Sequence, residues 1–208
     1  MRNLYREFIE ERRDPNGDLT ASIRFLLIIL GILALLVALF TFVWGGVRVE
    51  GNSMMNTLYD GDYVFVNKLS SPQRGDIVVV HTDRANAEFV IKRVIALEGD
   101  AIYAEEGVLY RRNAGERDFT IVQEDYLPEP WQNAGANMPN SFGSREDPLV
   151  LEDGMFFYMG DNRNDSYDCR AYGAQPIEHV WGTVTDWSLA GKRFFTACFH
   201  FLTFGVSA

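Results

Sequence analysis

The sequence predicts a mainly β domain carried behind one long apolar helix, and three observations predict it. Residues 25–44 are an unbroken run of 20 uncharged side chains, a length that matches the bilayer's hydrocarbon thickness at about 1.5 Å rise per residue. From Val47 onward, short β-branched runs recur between turn residues. The other strongly apolar stretch, Phe194 to Ala208, is 15 residues long and interrupted by His200. As a helix it would reach about 22 Å, short of a roughly 30 Å hydrocarbon core.

Taken in order, residues 1–24 read as a short cytoplasmic segment, helical up to Arg13 and broken at Asp14-Pro15-Asn16-Gly17. Residues 25–44 follow as a transmembrane helix. A cleaved signal peptide is the rival, but its apolar core usually runs about 7–15 residues. Phe42-Val43-Trp44 with Arg48 is also a poor small-residue cleavage site. The run therefore reads as a retained single-pass anchor in the cell membrane. Five Lys/Arg precede it (Arg2, Arg6, Arg12, Arg13 and Arg24), and Arg48 alone lies within about 20 residues after it. That asymmetry puts the N-terminus in the cytoplasm and the body outside.

Residues 45–193 are then an extracytoplasmic β domain. Asp62–Asn67 and Asp76–His81 are strand runs, separated by Ser70-Ser71-Pro72-Gln73-Arg74-Gly75. Glu88–Leu97 is the next strand and ends in the turn Glu98-Gly99-Asp100. Ala101–Arg111 reads as a hairpin about Glu105-Glu106-Gly107, with later strands at Met155–Met159 and Val180–Trp187. From about 113 to 148, Gly, Pro, Asn and acidic residues dominate, which predicts an irregular insertion rather than a separate domain. Residues 194–208 form an apolar tail, read as interfacial rather than spanning.

The 208 residues carry a formal charge of −10, and 14 of the 19 basic against 24 of the 29 acidic residues follow Arg24. Five of each sign precede Phe25, so the whole imbalance belongs to the downstream part. Such a surface excludes nucleic acid as a partner, because neutralising phosphates needs a basic patch. Cys169 and Cys198 stand far apart. A soluble domain of roughly 160 residues needs no disulfide framework, so two free thiols are expected.

Ser53 follows the apolar run by nine positions, in Gly51-Asn52-Ser53-Met54-Met55-Asn56-Thr57-Leu58. A potentially nucleophilic side chain is thereby held close to one membrane face. None of the three histidines, His81, His179 and His200, sits in a recognisable triad setting. Lysine is the alternative base. Lys92 lies in Glu88–Leu97, where strand alternation puts it on one face with Val90, Val94 and Ala96. Burial there favours the neutral amine. At a reference pKa near 10.4, about one lysine in 2,500 is neutral at pH 7. A depression of about three units costs roughly 4 kcal/mol and makes the amine a usable base.

Three blocks together resemble the type I signal peptidase family, the membrane-bound Ser/Lys enzymes that remove signal peptides from exported proteins. The first is Ser53-Met54-Met55-Asn56-Thr57-Leu58, similar to the family's Ser-Met-x-Pro-Thr-Leu. The second is Arg74-Gly75-Asp76-Ile77-Val78-Val79 with Ile91-Lys92-Arg93-Val94-Ile95 and Gly99-Asp100. The third runs from Gly160-Asp161-Asn162-Arg163 through Ser166-Tyr167-Asp168-Cys169-Arg170 to Gly173. The resemblance covers about Phe25 to Trp187.

It implies an antiparallel β-sheet catalytic domain needing no cofactor or metal, with Ser53 as nucleophile and Lys92 as general base. Ser166 would orient the lysine amine, Asp168 and Arg170 would form a buried salt bridge, and Asp161 and Arg163 would hold the same loop. Val47, Val49, Met54, Leu58, Val90 and Ile91 would line shallow apolar pockets that accept small residues at positions −1 and −3. The implied partners are the signal peptides of exported preproteins and the lipid bilayer. The substrate would add beside an exposed strand edge, with Val47–Glu50 and Phe89–Ile91 as the edges.

Three positions depart from the family pattern. Asn56 stands where proline is usual, so the loop loses a fixed φ. Cys169 replaces a common serine, and Gly51 replaces a serine that in some members donates to the oxyanion. The Asp161–Asp165 stretch is no calcium loop, because Arg163 occupies a ligand position and the glycine is missing. Two other readings stay open. One is a self-cleaving Ser/Lys protease, for which Val206-Ser207-Ala208 is a weak target; the other is a membrane-tethered binding module without catalysis.

Overall fold

The structure, a computed structural model, describes residues 15–82, 89–133 and 139–203. It divides into two compact units, Met1–Val43 and Trp44–Ala208. The first contains helix α1, Pro15–Val43. Its stretch Leu19–Val43, 25 residues, is long and apolar enough to cross a membrane. The helix begins before the expected Phe25, and the expected break at Pro15 is instead its start. At the first helical position proline loses no hydrogen bond, and its fixed φ suits helix entry. The helix expected up to Arg13 lies outside the described residues. At the other end, Trp44 already belongs to a strand.

The second unit opens with β1 (Trp44–Arg48), β2 (Tyr63–Asn67), β3 (Ile77–His81) and β4 (Phe89–Ala96). The hairpin β5 (Ala101–Glu105) and β6 (Val108–Arg112) follows, then β7 (Thr120–Ile121) and β8 (Leu149–Val150). Next come β9 (Met155–Met159), the short helix α2 (Cys169–Tyr172), β10 (Gln175–Pro176) and β11 (Val180–Val184). Helix α3, Asp186–Thr203, ends the described chain. All strand pairings are antiparallel, in one sheet ordered β1-β2-β11-β3-β4-β9-β10 and another ordered β7-β6-β5-β8. The mainly β antiparallel class expected from the sequence is what the chain adopts.

β3 reads Ile77-Val78-Val79-Val80 without alternation because both of its faces are covered. Val78 and Val80 join Val94, Ile102, Leu109 and Phe156 in one core cluster. Ile77 and Val79 join Val49, Met54, Leu58, Val64 and Val66 in the other. Removing a leucine or valine side chain from water contributes roughly 1.5–3 kcal/mol, so the second cluster fixes the segment that carries Ser53. The insertion packs back onto this body: Phe142 exchanges two backbone bonds with Ala104 at 2.9 and 3.0 Å, and Trp131 is buried.

The run expected as a strand from Val180 to Trp187 stops at Val184. β11 pairs only with Val66 and Asn67 of β2, leaving the N–H groups of Tyr63 and Phe65 without a strand partner. Helix α3 supplies one. Ser188 Oγ accepts from Phe65 N at 2.6 Å, and Thr196 Oγ1 accepts from Tyr63 N at 2.9 Å. Helix hydroxyls thus cover an edge that would otherwise invite another chain. Residues 194–203 are therefore the second half of a packed helix rather than a separate tail, with Phe195 and Phe199 against Phe65 and Tyr63. Val206-Ser207-Ala208 lies outside the described residues.

Candidate active site

Ser53 sits in a turn between β1 and β2 that two apolar side chains pull inward. Met54 and Leu58 are buried, and Thr57 N and Leu58 N both bond Met54 O, at 2.9 and 2.8 Å. Gly51 has φ 82°, a left-handed conformation that a serine there would adopt only under strain. From the far side, Asn162 N donates to Ser53 O at 3.0 Å, and Asn162 Nδ2 donates to Asn52 O at 3.2 Å. No described hydrogen bond uses Ser53 N–H.

Lys92 lies in β4 opposite Val78 of β3. Its Nζ is 2.6 Å from Ser53 Oγ, and the residue is only 4% exposed. Burial pushes the ammonium down to about 8, against opposing attraction from Asp168 and a further push down from Arg170. The unfolded chain keeps this proton up to its ordinary value of 10.5, whereas the folded one releases it near 8. Between those values the unfolded state holds more protons, so this group's contribution to stability rises with pH. A rate that needs the neutral amine rises through the lower value. We predict that kcat/KM for peptide cleavage climbs about tenfold from pH 7 to pH 9. A flat profile over that range would rule out Lys92 as the titrating base.

The third block wraps the lysine. Asp168 accepts from Ser166 Oγ at 2.8 Å, from Gly160 N at 3.0 Å, and from Arg170 Nε and Nη2 at 2.8 and 2.9 Å. Both side chains of the Asp168–Arg170 pair are 0% exposed, and such a pair survives burial only when hydrogen bonds satisfy it this fully. The Ser166 hydroxyl bonds this carboxylate, and no described bond joins it to Lys92. Gly160 must lack a side chain: a Cβ would lie 2.3 Å from Ser166 Oγ and 2.4 Å from Ser53 O.

Asp161 and Arg163, expected to hold one loop together, belong to different ion pairs. Asp161 takes Arg93 at 2.6 Å and also accepts from Thr57 Oγ1 at 2.5 Å. Arg163 pairs with Glu124 of the insertion at 2.6 Å. Sequence reasoning missed Arg93, Thr57 and Glu124. Arg93 could have been found, since it follows Lys92 on the opposite strand face; Glu124 carries no local signal. Arg74 and Asp100, quoted only as parts of a block, form a bidentate pair at 2.6 and 2.7 Å. Both cysteines are free, Cys169 buried and Cys198 exposed.

A cleft of about 180 Å³ opens beside Ser53 and Lys92. Val47, Val49, Met54, Val90 and Ile91 are among the residues that line it. Leu58, expected among them, is 0% exposed and lies in the core beneath. β4 pairs with β9 only from Arg93 onward, so among the described residues no strand pairs with its Phe89–Lys92 end on that side. β1 is the edge strand of its sheet. Two unpaired backbone edges therefore flank the cleft.

Residues 22–188 match the family described as signal peptidase, peptidase S26. Signal peptidase I of Bacillus licheniformis is 38% identical over 151 residues, covering 69% of this chain and 74% of that protein. A probable signal peptidase I-1 of Synechocystis is 34% identical over 163 residues, covering 72% and 70%. A crystal structure of a signal peptidase I from Enterococcus faecalis aligns with 31% identity and a TM-score of 0.43, over 56% of this chain and 98% of that one. With the family match running from residue 22 to 188 and the B. licheniformis relative 38% identical over more than two thirds of the chain, this protein belongs to the signal peptidase family, peptidase S26, and is a serine peptidase.

Proposed function

We propose that Ser53 and Lys92 act as a catalytic dyad that removes N-terminal signal peptides from exported preproteins after small residues, at sites of the Ala-x-Ala type. One observation carries the reading: a buried amine with its pKa lowered to about 8 lies 2.6 Å from the serine oxygen. Ser53 Oγ attacks the scissile carbonyl while the neutral Lys92 amine takes its proton. Lys92 then returns that proton to the departing amine, and the mature protein leaves. Water, deprotonated by the same amine, hydrolyses the ester and frees the signal peptide. The unused Ser53 N–H is the first donor to the oxyanion. Asp168 and Arg170 shape the wall behind the lysine with Ser166, while Asp161 and Arg163 brace the loops.

The substrate's extended residues enter between the open edges of β1 and β4 and add as a strand. The small apolar cleft between Val47, Val49, Val90 and Ile91 favours alanine-sized side chains. We further propose that α1 crosses the cell membrane once, with its N-terminus cytoplasmic and residues 45–193 outside. The Lys/Arg asymmetry about the helix supports this. Exposed Trp187 and Phe194 on α3, at 46% and 66%, support contact with the lipid interface. Confining enzyme and preprotein to one surface lowers the entropic cost of their encounter.

The test uses the full chain in detergent with a preprotein bearing an Ala-x-Ala site. Cleavage after the second alanine, absent in Ser53→Ala, is expected. Self-shortening alone would favour an autoproteolytic enzyme, and an intact preprotein would favour a binding module. Full activity in Ser53→Ala would remove the nucleophile from the mechanism.

A further inference from the structure

We infer that Lys192, on α3, is a positioning residue that clamps the Ser53 turn from its outer side. The inference rests on Ser53 being the nucleophile, since only then does the turn's geometry matter to the rate. The inner side of that turn is tied by Asn162 and Asp161, as described above. Other described bonds there stay within the segment, Gly51 N donating to Asp60 Oδ1 at 2.9 Å and Tyr59 N to Asp62 Oδ2 at 3.0 Å. Lys192 Nζ donates to the carbonyl oxygen of Thr57. It also stands 3.4 Å from Asp62 Oδ2 and 5.3 Å from the centroid of the Tyr59 ring.

Each of these partners is itself wired to the turn. Asp62 Oδ2 accepts from Tyr59 N at 3.0 Å, and Tyr59 OH donates to Asn56 Oδ1 at 2.6 Å. Thr57 is therefore gripped twice, its hydroxyl by Asp161 and its carbonyl by Lys192. The helix that carries the lysine is anchored independently of the turn. Ser188 and Thr196, four residues to either side of Lys192 and on the same helix face, bind the β2 backbone. The clamp thus runs from β2 through α3 to Thr57. Lys192 itself lies beyond residue 188, where the family match ends, so it belongs to none of the three motif blocks.

The competing view is that Lys192–Asp62 is an ordinary surface pair, of the kind whose loss changes little. Two features argue otherwise. The lysine side chain is only 19% exposed, and it donates to a backbone carbonyl four residues from Ser53. Small displacements of a nucleophile are costly, with about 1 Å sufficient to lose roughly a hundredfold in rate.

Lys192→Met, Lys192→Arg and Thr196→Val in the full detergent-solubilised chain test the clamp. Lys192→Met is expected to lower kcat about tenfold with KM changed less than about twofold, and Lys192→Arg to keep most of the activity. Amide hydrogen exchange of residues 54–60 should quicken in Lys192→Met. Thr196→Val should lower the melting temperature with a smaller loss of kcat than Lys192→Met, because it removes one of the two helix anchors and leaves the Lys192–Thr57 contact in place. Wild-type kcat in Lys192→Met would overturn the proposal, as would an equal loss in Thr196→Val. Exchange reports on the clamp whichever residue is the nucleophile, so unchanged exchange refutes the clamp alone. Activity in Ser53→Ala refutes the dyad alone.

Discussion

Lys92→Met is expected to yield an enzyme that is nearly inactive and more stable than the wild type. Loss of a general base typically removes 10²–10⁴ in rate, and in the proposed mechanism the same amine serves both half-reactions, so a fall of about 10⁴ in kcat/KM is expected. The stability gain follows from the environment that makes the lysine useful. Its native value of about 8 against an ordinary 10.5 corresponds to about 3 kcal/mol of destabilisation at pH 7. Below pH 8 the group is charged in both folded and unfolded chains, and the full penalty applies. Above about 10.5 it is neutral in both, and the penalty vanishes. Methionine keeps a similar unbranched stem and carries no charge into the site. The difference in unfolding free energy between Lys92→Met and wild type should therefore shrink as pH rises from 8 to 10.5. Wild-type turnover in this variant, or a lower melting temperature at pH 7, would contradict the role assigned to the amine.

Asp168→Ala should be the most destabilising single change near the site. The carboxylate is fully buried and faces a guanidinium that is also 0% exposed. Deleting it leaves Arg170 charged in a dry pocket and strips acceptors from Ser166 Oγ and Gly160 N. Breaking a buried pair from one side costs about 3–5 kcal/mol, or a fall of roughly 10 °C in melting temperature for a chain of this size. The conservative Asp168→Asn separates charge from packing. Asp168 holds the Lys92 pKa up against burial, so its neutralisation should move the midpoint of the pH–rate profile below 8. Unfolding free energy within about 0.5 kcal/mol of wild type in Asp168→Ala would show that the pair contributes little.

Much of the β framework was legible because its signals are local. β2, β3, β4, the β5–β6 hairpin and β9 are runs of Val, Ile, Phe and Tyr bounded by turn residues, and each was expected within one or two positions. β7, β8 and β10 are two residues long, and nothing in so short a segment distinguishes it from a loop until its partner is known. The extension of the Val180 run to Trp187 failed for a related reason. Thr185 and Trp187 carry β propensity, but beyond Val184 the chain leaves the sheet and starts a helix. That helix satisfies β2 with hydroxyls instead of a backbone.

The candidate site divides the same way. Ser53, Lys92, Asp168 and Arg170 were legible from motif and strand alternation. Leu58 was misplaced because an apolar residue beside a nucleophile reads identically whether it floors a pocket or lies beneath it. The ion pairs Arg93–Asp161 and Arg163–Glu124 were invisible because their partners lie 68 and 39 residues apart in the chain.

By itself the amino-acid order determined the apolar helix, the strand runs and the set of reactive side chains, since each depends on a residue's own chemistry and near neighbours. Only the folded chain decided that Lys92 is dry, that its nitrogen reaches Ser53, and that α3 closes over β2 and grips Thr57. Desolvation and ion pairing depend on which distant segments cover a group, and coverage exists only after the sheets have packed.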